Sequence, residues 1–246
     1  MKKTPYFYIL QKKNISMKTI GLIGGMSWES TKVYYEYINH KVNDLMGGFH
    51  SAEIILHSVD FAEIEKLQHK GNWEKLCTLM AASARRLQDA GADVVALCTN
   101  TMHLCSSSIA ETISVPFLHI AEATGNEISK NKIGKVALLG TKFTMEKDFF
   151  KTVLKKKFGI EVIVPYKTER ERIHQIIYNE LVHGEIRDES REKLKTITAN
   201  MQTHGAEGVV LGCTEIPLLI SDKDVKIDVF DTTKIHAETL AEWAVN

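Results

Sequence analysis

Short apolar runs, each stopped by glycine or a polar turn, alternate along this chain with longer stretches whose apolar residues recur at helical spacing. The short runs fall at 19–23, 52–58, 93–97, 135–139, 162–165 and 208–211. Near-continuous apolar character over a few residues marks strands buried on both faces, and the helical stretches between them mark crossovers. The pattern predicts an α/β fold with parallel sheets, whose ligands gather at the carboxyl ends of the strands. One helical stretch carries Ile173, Ile176, Ile177 and Leu181 on a single stripe, which predicts an amphipathic helix packed on a sheet or on a second subunit.

An internal repeat organises these elements. TIGLIG, ending at Gly24, is similar to KVALLG, ending at Gly140, an offset of 140 − 24 = 116; GADVVALCTNT from Gly91 is similar to GAEGVVLGCTE from Gly205, an offset of 205 − 91 = 114. Helix-start signals follow the first pair, Ser27-Trp28-Glu29 and Thr144-Met145-Glu146. Two similar halves packed about a pseudo-twofold axis bring the segments after equivalent strands face to face across one cleft. The expected division is 17–114 plus 227–246 for the first lobe and 115–226 for the second, with 1–16 as a disordered N-terminal extension.

Lys+Arg and Asp+Glu are equal at 31 each, which removes the electrostatic case for nucleic acid or an anionic membrane surface as the main partner. No apolar run reaches the roughly 18 residues that a bilayer span needs. Four cysteines without paired spacing suit a reducing compartment, so the chain is read as cytoplasmic. Cys77, within LCTLMAASARRL, and Cys105 read as core residues.

Within the repeat, Cys213 lies eight residues after Gly205, and eight residues after Gly91 comes Thr99. Side chains alternate along an extended segment, so Cys98 points away from Thr99. A one-residue bulge would bring in Cys98 instead, and both remain candidates. GLIGG lacks the third glycine of a dinucleotide fingerprint, which argues against a nicotinamide cofactor. Cys98, His103 and Cys105 lack a second Cys/His pair, so no metal is expected.

Together GLIGGMSWEST, CTNTMH, GTKFTM, GAEGVVLGCTEIPLL and FDTTKIHA resemble the aspartate/glutamate racemase family, closest to its L-aspartate/glutamate-specific members. The resemblance, which covers nearly everything from Met17 onward, implies two Rossmann-like lobes, a homodimer, an acidic amino acid as substrate and no pyridoxal or other cofactor. It also implies two catalytic positions flanking the substrate α-carbon, both usually cysteine, the first standing before Asn-Thr. Here Thr99 stands before Asn100 and Thr101, a departure that implies a preferred direction of turnover. His183, before Gly184, stands where the family often carries a cation for the distal carboxylate.

Inverting an α-carbon needs a base on one face and an acid on the other. A thiol, with an ordinary pKa of about 8.5, can serve as base, whereas a threonine hydroxyl can only donate or relay a proton. Cys213 is thus expected to abstract, as a thiolate stabilised beside a helix N-terminus, and Thr99 or its water to deliver. Asn100, Thr101 and Thr214 are expected to donate to the α-carboxylate and the developing enediolate, Met26, Ser27 and Thr141 to line the opposite walls, and Glu215 to hold the ammonium group. The rival readings are a related isomerase acting on maleate or hydantoins, and a non-catalytic binder of an acidic metabolite. A covalent Cys213 adduct would mark the maleate isomerase, turnover of hydantoins but not amino acids the hydantoin racemase, and tight aspartate binding without α-proton exchange the binder.

Overall fold

The computed structural model describes residues 17–246, so the expected extension at 1–16 lies outside the described residues. The first half runs β1 (Ile20–Gly24), α1 (Trp28–Met46), β2 (Ile54–Ser58), α2 (Phe61–His69), α3 (Trp73–Asp89), β3 (Val94–Leu97), α4 (Ser106–Thr112) and α5 (Ile120–Lys130). The second runs β4 (Lys135–Gly140), α6 (Lys142–Glu146), α7 (Phe149–Phe158), β5 (Glu161–Ile163), α8 (Lys167–Asn179), α9 (Asp188–Thr203), β6 (Gly208–Gly212), β7 (Asp228–Asp231) and α10 (Thr232–Val245). All pairings are parallel, in the orders β2-β1-β3 and β5-β4-β6-β7. The fold class read from the sequence is the one observed. β1, β3 and β6 are buried along their whole length, which is why their sequences show no polar alternation.

Corresponding strands occupy corresponding places: β1 and β4 sit beside β3 and β6, with Leu22 paired to Ala96 and Leu138 to Val210. The resemblance extends to a pairing the sequence did not reveal. Residues 116–118 run beside β3, the Val95 amide donating to Pro116 O at 2.9 Å and the Leu118 amide to Val95 O at 3.0 Å, as β7 runs beside β6. Residues 116–118 and β7 follow the expected lobe boundaries at 114 and 226 in sequence and lie beside β3 and β6. Both stretches are too brief to show a hydrophobic period.

Beyond them the halves exchange helices. Ile120, Ala121 and Ile128 of α5 pack into the second sheet's core with Leu138 and Leu154, and Gly125 gives the Phe158 ring room that a Cβ, at 2.4 Å, would close. Ala237, Leu240 and Ala244 of α10 pack into the first sheet's core with Ile20, Leu22 and Tyr34. The isoleucine stripe of α8 covers the second sheet.

Two local expectations are corrected. Ser27 caps α1 as expected, but α6 is capped by Thr141, whose hydroxyl accepts from the Thr144 amide at 3.3 Å, three residues before the predicted cap. Cys77 and Cys105 form a disulfide joining α3 to the turn after Asn100, across 28 residues of sequence. Their shared apolar cluster explains the burial that the sequence suggested, but not the bond, which carries no spacing signature. Cysteine usage thus no longer supports a reducing compartment. No described helix is long and apolar enough to cross a membrane.

Candidate active site

Thr99 lies two residues beyond β3 and Cys213 one residue beyond β6, and both line a single cavity between the lobes, with an empty volume of about 490 Å³. Met26, Ser27, Asn100, Thr101, Thr141, Thr214 and Glu215 line it too. The two facing side chains are buried, with Cys213 7% and Thr99 9% exposed.

On the Cys213 side the hydrogen bonds converge on one carboxylate. Cys213 Sγ donates to Glu215 Oε2 at 3.0 Å and Thr214 Oγ1 to the same oxygen at 2.7 Å; Ser27 and Ser30 donate to Oε1, each at 3.2 Å. Ser30 and Thr214 also share a hydrogen bond between the lobes. Burial first, and then the charge and hydrogen bond of Glu215, push the Cys213 thiol well above its ordinary range. The amides of Thr214 and Glu215 pull the other way and are outweighed. The resting sulfur is therefore a thiol, not the thiolate expected from its place beside a helical turn.

On the Thr99 side the loop is braced from behind. Asn100 Nδ2 donates to Thr232 Oγ1 at 3.0 Å, and Thr232 in turn donates to Leu211 O at 2.8 Å, tying the Thr99 loop to the strand that carries Cys213. That arrangement leaves Asn100 Oδ1 buried without a partner. Asn100 Nδ2 has one further hydrogen beyond the bond to Thr232. Thr101, Thr141 and Thr144 form a hydroxyl cluster with Oγ1 separations of 3.2–3.5 Å. His103 is wholly buried, and burial holds its pKa well below the usual value; Nδ1 donates to Thr99 O at 2.8 Å while Nε2 accepts from the Ile120 amide at 3.1 Å.

The sequence profile of the family described as Asp/Glu/Hydantoin racemase matches residues 23–240. The chain belongs to this family. A Yersinia pestis protein provisionally described as an Asp/Glu racemase is 48% identical, with a TM-score of 0.89 over 94% of this chain and all of that one. An aspartate racemase homologue from Pyrococcus horikoshii is 37% identical, with a TM-score of 0.82 over 94% of this chain and 100% of that chain. A curated relative, the broad specificity amino-acid racemase of Bacillus subtilis, is 24% identical over 231 residues, 89% of this chain and 95% of its own length. The chain is an amino-acid racemase, an isomerase.

Two residues expected at the racemase site are not there. Cys98 points into the apolar core with Tyr34 and Ala237, and burial pushes its thiol up, so the strand continues without the bulge that would have turned Cys98 to the cavity. His183, on a short turn after α8, is exposed, and its neighbour Val182 lines the cavity instead. The sequence reading in turn missed Ser30, Phe61, Gln68 and Tyr178. Ser30 sits one turn beyond Ser27 on α1, and Gln68 is a buried amide on the apolar face of α2, both recognisable signals. Tyr178 was hidden beside the isoleucine stripe of α8.

Proposed function

We propose that this racemase inverts free α-amino acids by 1,1-proton transfer between Cys213 on one face and Thr99 on the other, without pyridoxal. The observation that carries the reading is that equivalent strand ends of the two halves deliver these side chains to one cavity. Because the resting thiol is protonated, Cys213 becomes a base only by passing its proton to Glu215, which already accepts it at 3.0 Å. The thiolate then removes the α-proton, Thr99 or a water it holds protonates the opposite face and is replenished from solvent, and Glu215 returns the proton it took to solvent, which restores the starting state. Glu215 serves the sulfur rather than the substrate ammonium group. Hydroxyls of Thr101 and Thr141 face the carboxylate and the developing enediolate.

An acidic side chain is supported by the family description, and a wider range by the broad specificity relative. A homodimer, on the family resemblance, and a cytoplasmic location, no longer on cysteine usage, remain part of this proposal. The test is deuterium exchange at the α-carbon in D₂O, followed by NMR over an amino-acid panel. Cys213→Ala is expected to lower exchange by about 10²–10⁴-fold; exchange at the native rate would end the proposal.

A further inference from the structure

The cavity walls divide by chemistry. The end holding Cys213, Thr99, Asn100 and the threonines is polar, whereas the remaining wall is built by Phe61 and Gln68 of α2 and by Ile177, Tyr178 and Val182 at the end of α8. That second wall is where the substrate side chain must lie once the α-carbon sits between Cys213 and Thr99. No lysine, arginine or histidine lines the cavity among the described residues, and its one ionisable carboxylate, Glu215, is surrounded by hydroxyls and a thiol rather than by a cation. The polar atoms at the side-chain end are few. Gln68 turns its amide nitrogen to Met102 Sδ at 3.2 Å, so Oε1 and one N–H remain for a ligand; a substrate amide can answer both, whereas a carboxylate meets the N–H but is repelled by Oε1.

Among the described residues the cations behind this wall do not line the cavity, and Lys142 stands 3.8 Å from Glu171. The Tyr178 ring meets His174 at 4.5 Å and His69 at 6.3 Å between centroids. Burial first, then Lys142 and His69, lowers the pKa of His174, while His69 is engaged by Glu65 at 2.8 Å. Tyr178 itself keeps its phenolic proton, its pKa pushed up to about 12, chiefly by burial and further by the carboxylates of Glu65 and Glu215. A second carboxylate placed here would be desolvated beside Glu215 with no opposite charge to offset it.

Resting on the racemase reading above, we propose that the side-chain end of this cavity selects a neutral, hydrogen-bond-donating side chain, with Gln68 as the specificity-determining residue, so that amides are turned over in preference to the acids they match in shape. Glutamine against glutamate and asparagine against aspartate differ in charge and donor pattern but hardly in size, which isolates the feature in question.

The experiment measures kcat/KM for α-proton exchange in D₂O with each enantiomer of these four amino acids. Each amide is expected to exceed its acid by at least about tenfold. Acids turned over as well as, or better than, their amides overturn this inference and leave the racemase reading standing; exchange with none of the four, while another amino acid exchanges, overturns it in the same way. Exchange with no amino acid at all overturns both. Val182→Lys, which puts a cation at the rim of the same wall, is expected to move the acid-to-amide ratio at least about tenfold towards the acids. An unchanged ratio in a folded variant counts against the proposal.

Discussion

The Cys213 thiol donates to Glu215 Oε2 at 3.0 Å, and the carboxylate that receives it is held by hydroxyls from both lobes. Glu215 raises the pKa of the sulfur both as a nearby charge and as a hydrogen-bond acceptor, after the larger effect of burial. Glu215→Gln removes the charge, so the thiol pKa falls and more thiolate is present at any pH below it. Carbamidomethylation of Cys213 by iodoacetamide at pH 8, followed by peptide mass spectrometry, is expected to be on the order of tenfold faster in this variant per unit of pKa lost. A slower reaction would show that Glu215 does not hold the proton on sulfur. Turnover is expected to fall at the same time, because the acceptor of the thiol proton has gone.

Thr99 faces the cavity and Cys98 does not, so the two proton-transfer positions differ in chemistry. Thr99→Cys supplies an ionisable group of similar size on the weaker face. Initial rates measured from each enantiomer separately are expected to show the slower direction rising by about tenfold or more, with the faster one little changed. If neither direction responds, the proton on that face comes from water alone.

Much of this site was legible because strand ends in a duplicated α/β chain are fixed by the apolar runs before them. Counting eight residues from Gly91 and Gly205 put Thr99 and Cys213 in equivalent places, with Cys98 left as the alternative to Thr99. What escaped was set by tertiary contacts with no local signature. Helix exchange brings Thr232 to Asn100 and ties up one hydrogen of its amide, and burial outweighs the local amides at Cys213. His183 stands one position from Val182, and a short turn decides which of them faces inward.

His103 braces the Thr99 loop by joining Thr99 O to the Ile120 amide, where the chain passes into α5. His103→Phe fills much of the space but leaves both backbone groups buried without partners. Each such group costs about 1–3 kcal/mol, so urea unfolding is expected to report a loss of about 2–6 kcal/mol. A positioning role further requires kcat to fall more than KM rises in the variant that remains folded at low temperature. A stability loss with unchanged kcat would make His103 purely structural.

The Cys77–Cys105 bridge closes a loop across 28 residues in the half that carries Thr99. Loop-closure entropy gives such a bond about 3–4 kcal/mol. Urea unfolding with and without a dithiol reductant is expected to differ by that amount, and Cys77→Ala is expected to match the reduced protein. Equal midpoints would mean that the bond does not form in solution.

Buried histidines set the acid limit of the fold. Burial is the largest influence lowering His236 to about 3 and His119 to about 4, with His119 adding to the fall at His236 and Lys157 adding to that at His119. Both are therefore neutral when folded and titrate near 6.5 when unfolded. The unfolded chain binds more protons below that value, so stability is complete above about pH 6.5 and is lost as pH falls towards the folded values. Each histidine contributes a slope of about 1.4 kcal/mol per pH unit within that window. His236 accepts from Tyr34 Oη at 2.8 Å and donates to Leu118 O at 3.0 Å, a pair that glutamine can reproduce in part without titrating. Carboxylates also titrate on the acid side, so the informative quantity is the difference between proteins. Urea unfolding at pH 7.5, 6.0 and 5.0 is expected to show a shallower pH dependence for His236→Gln by about one proton's worth, although the variant starts less stable at pH 7.5. Identical slopes would mean that His236 is protonated inside the fold and that its Nδ1 does not accept from Tyr34.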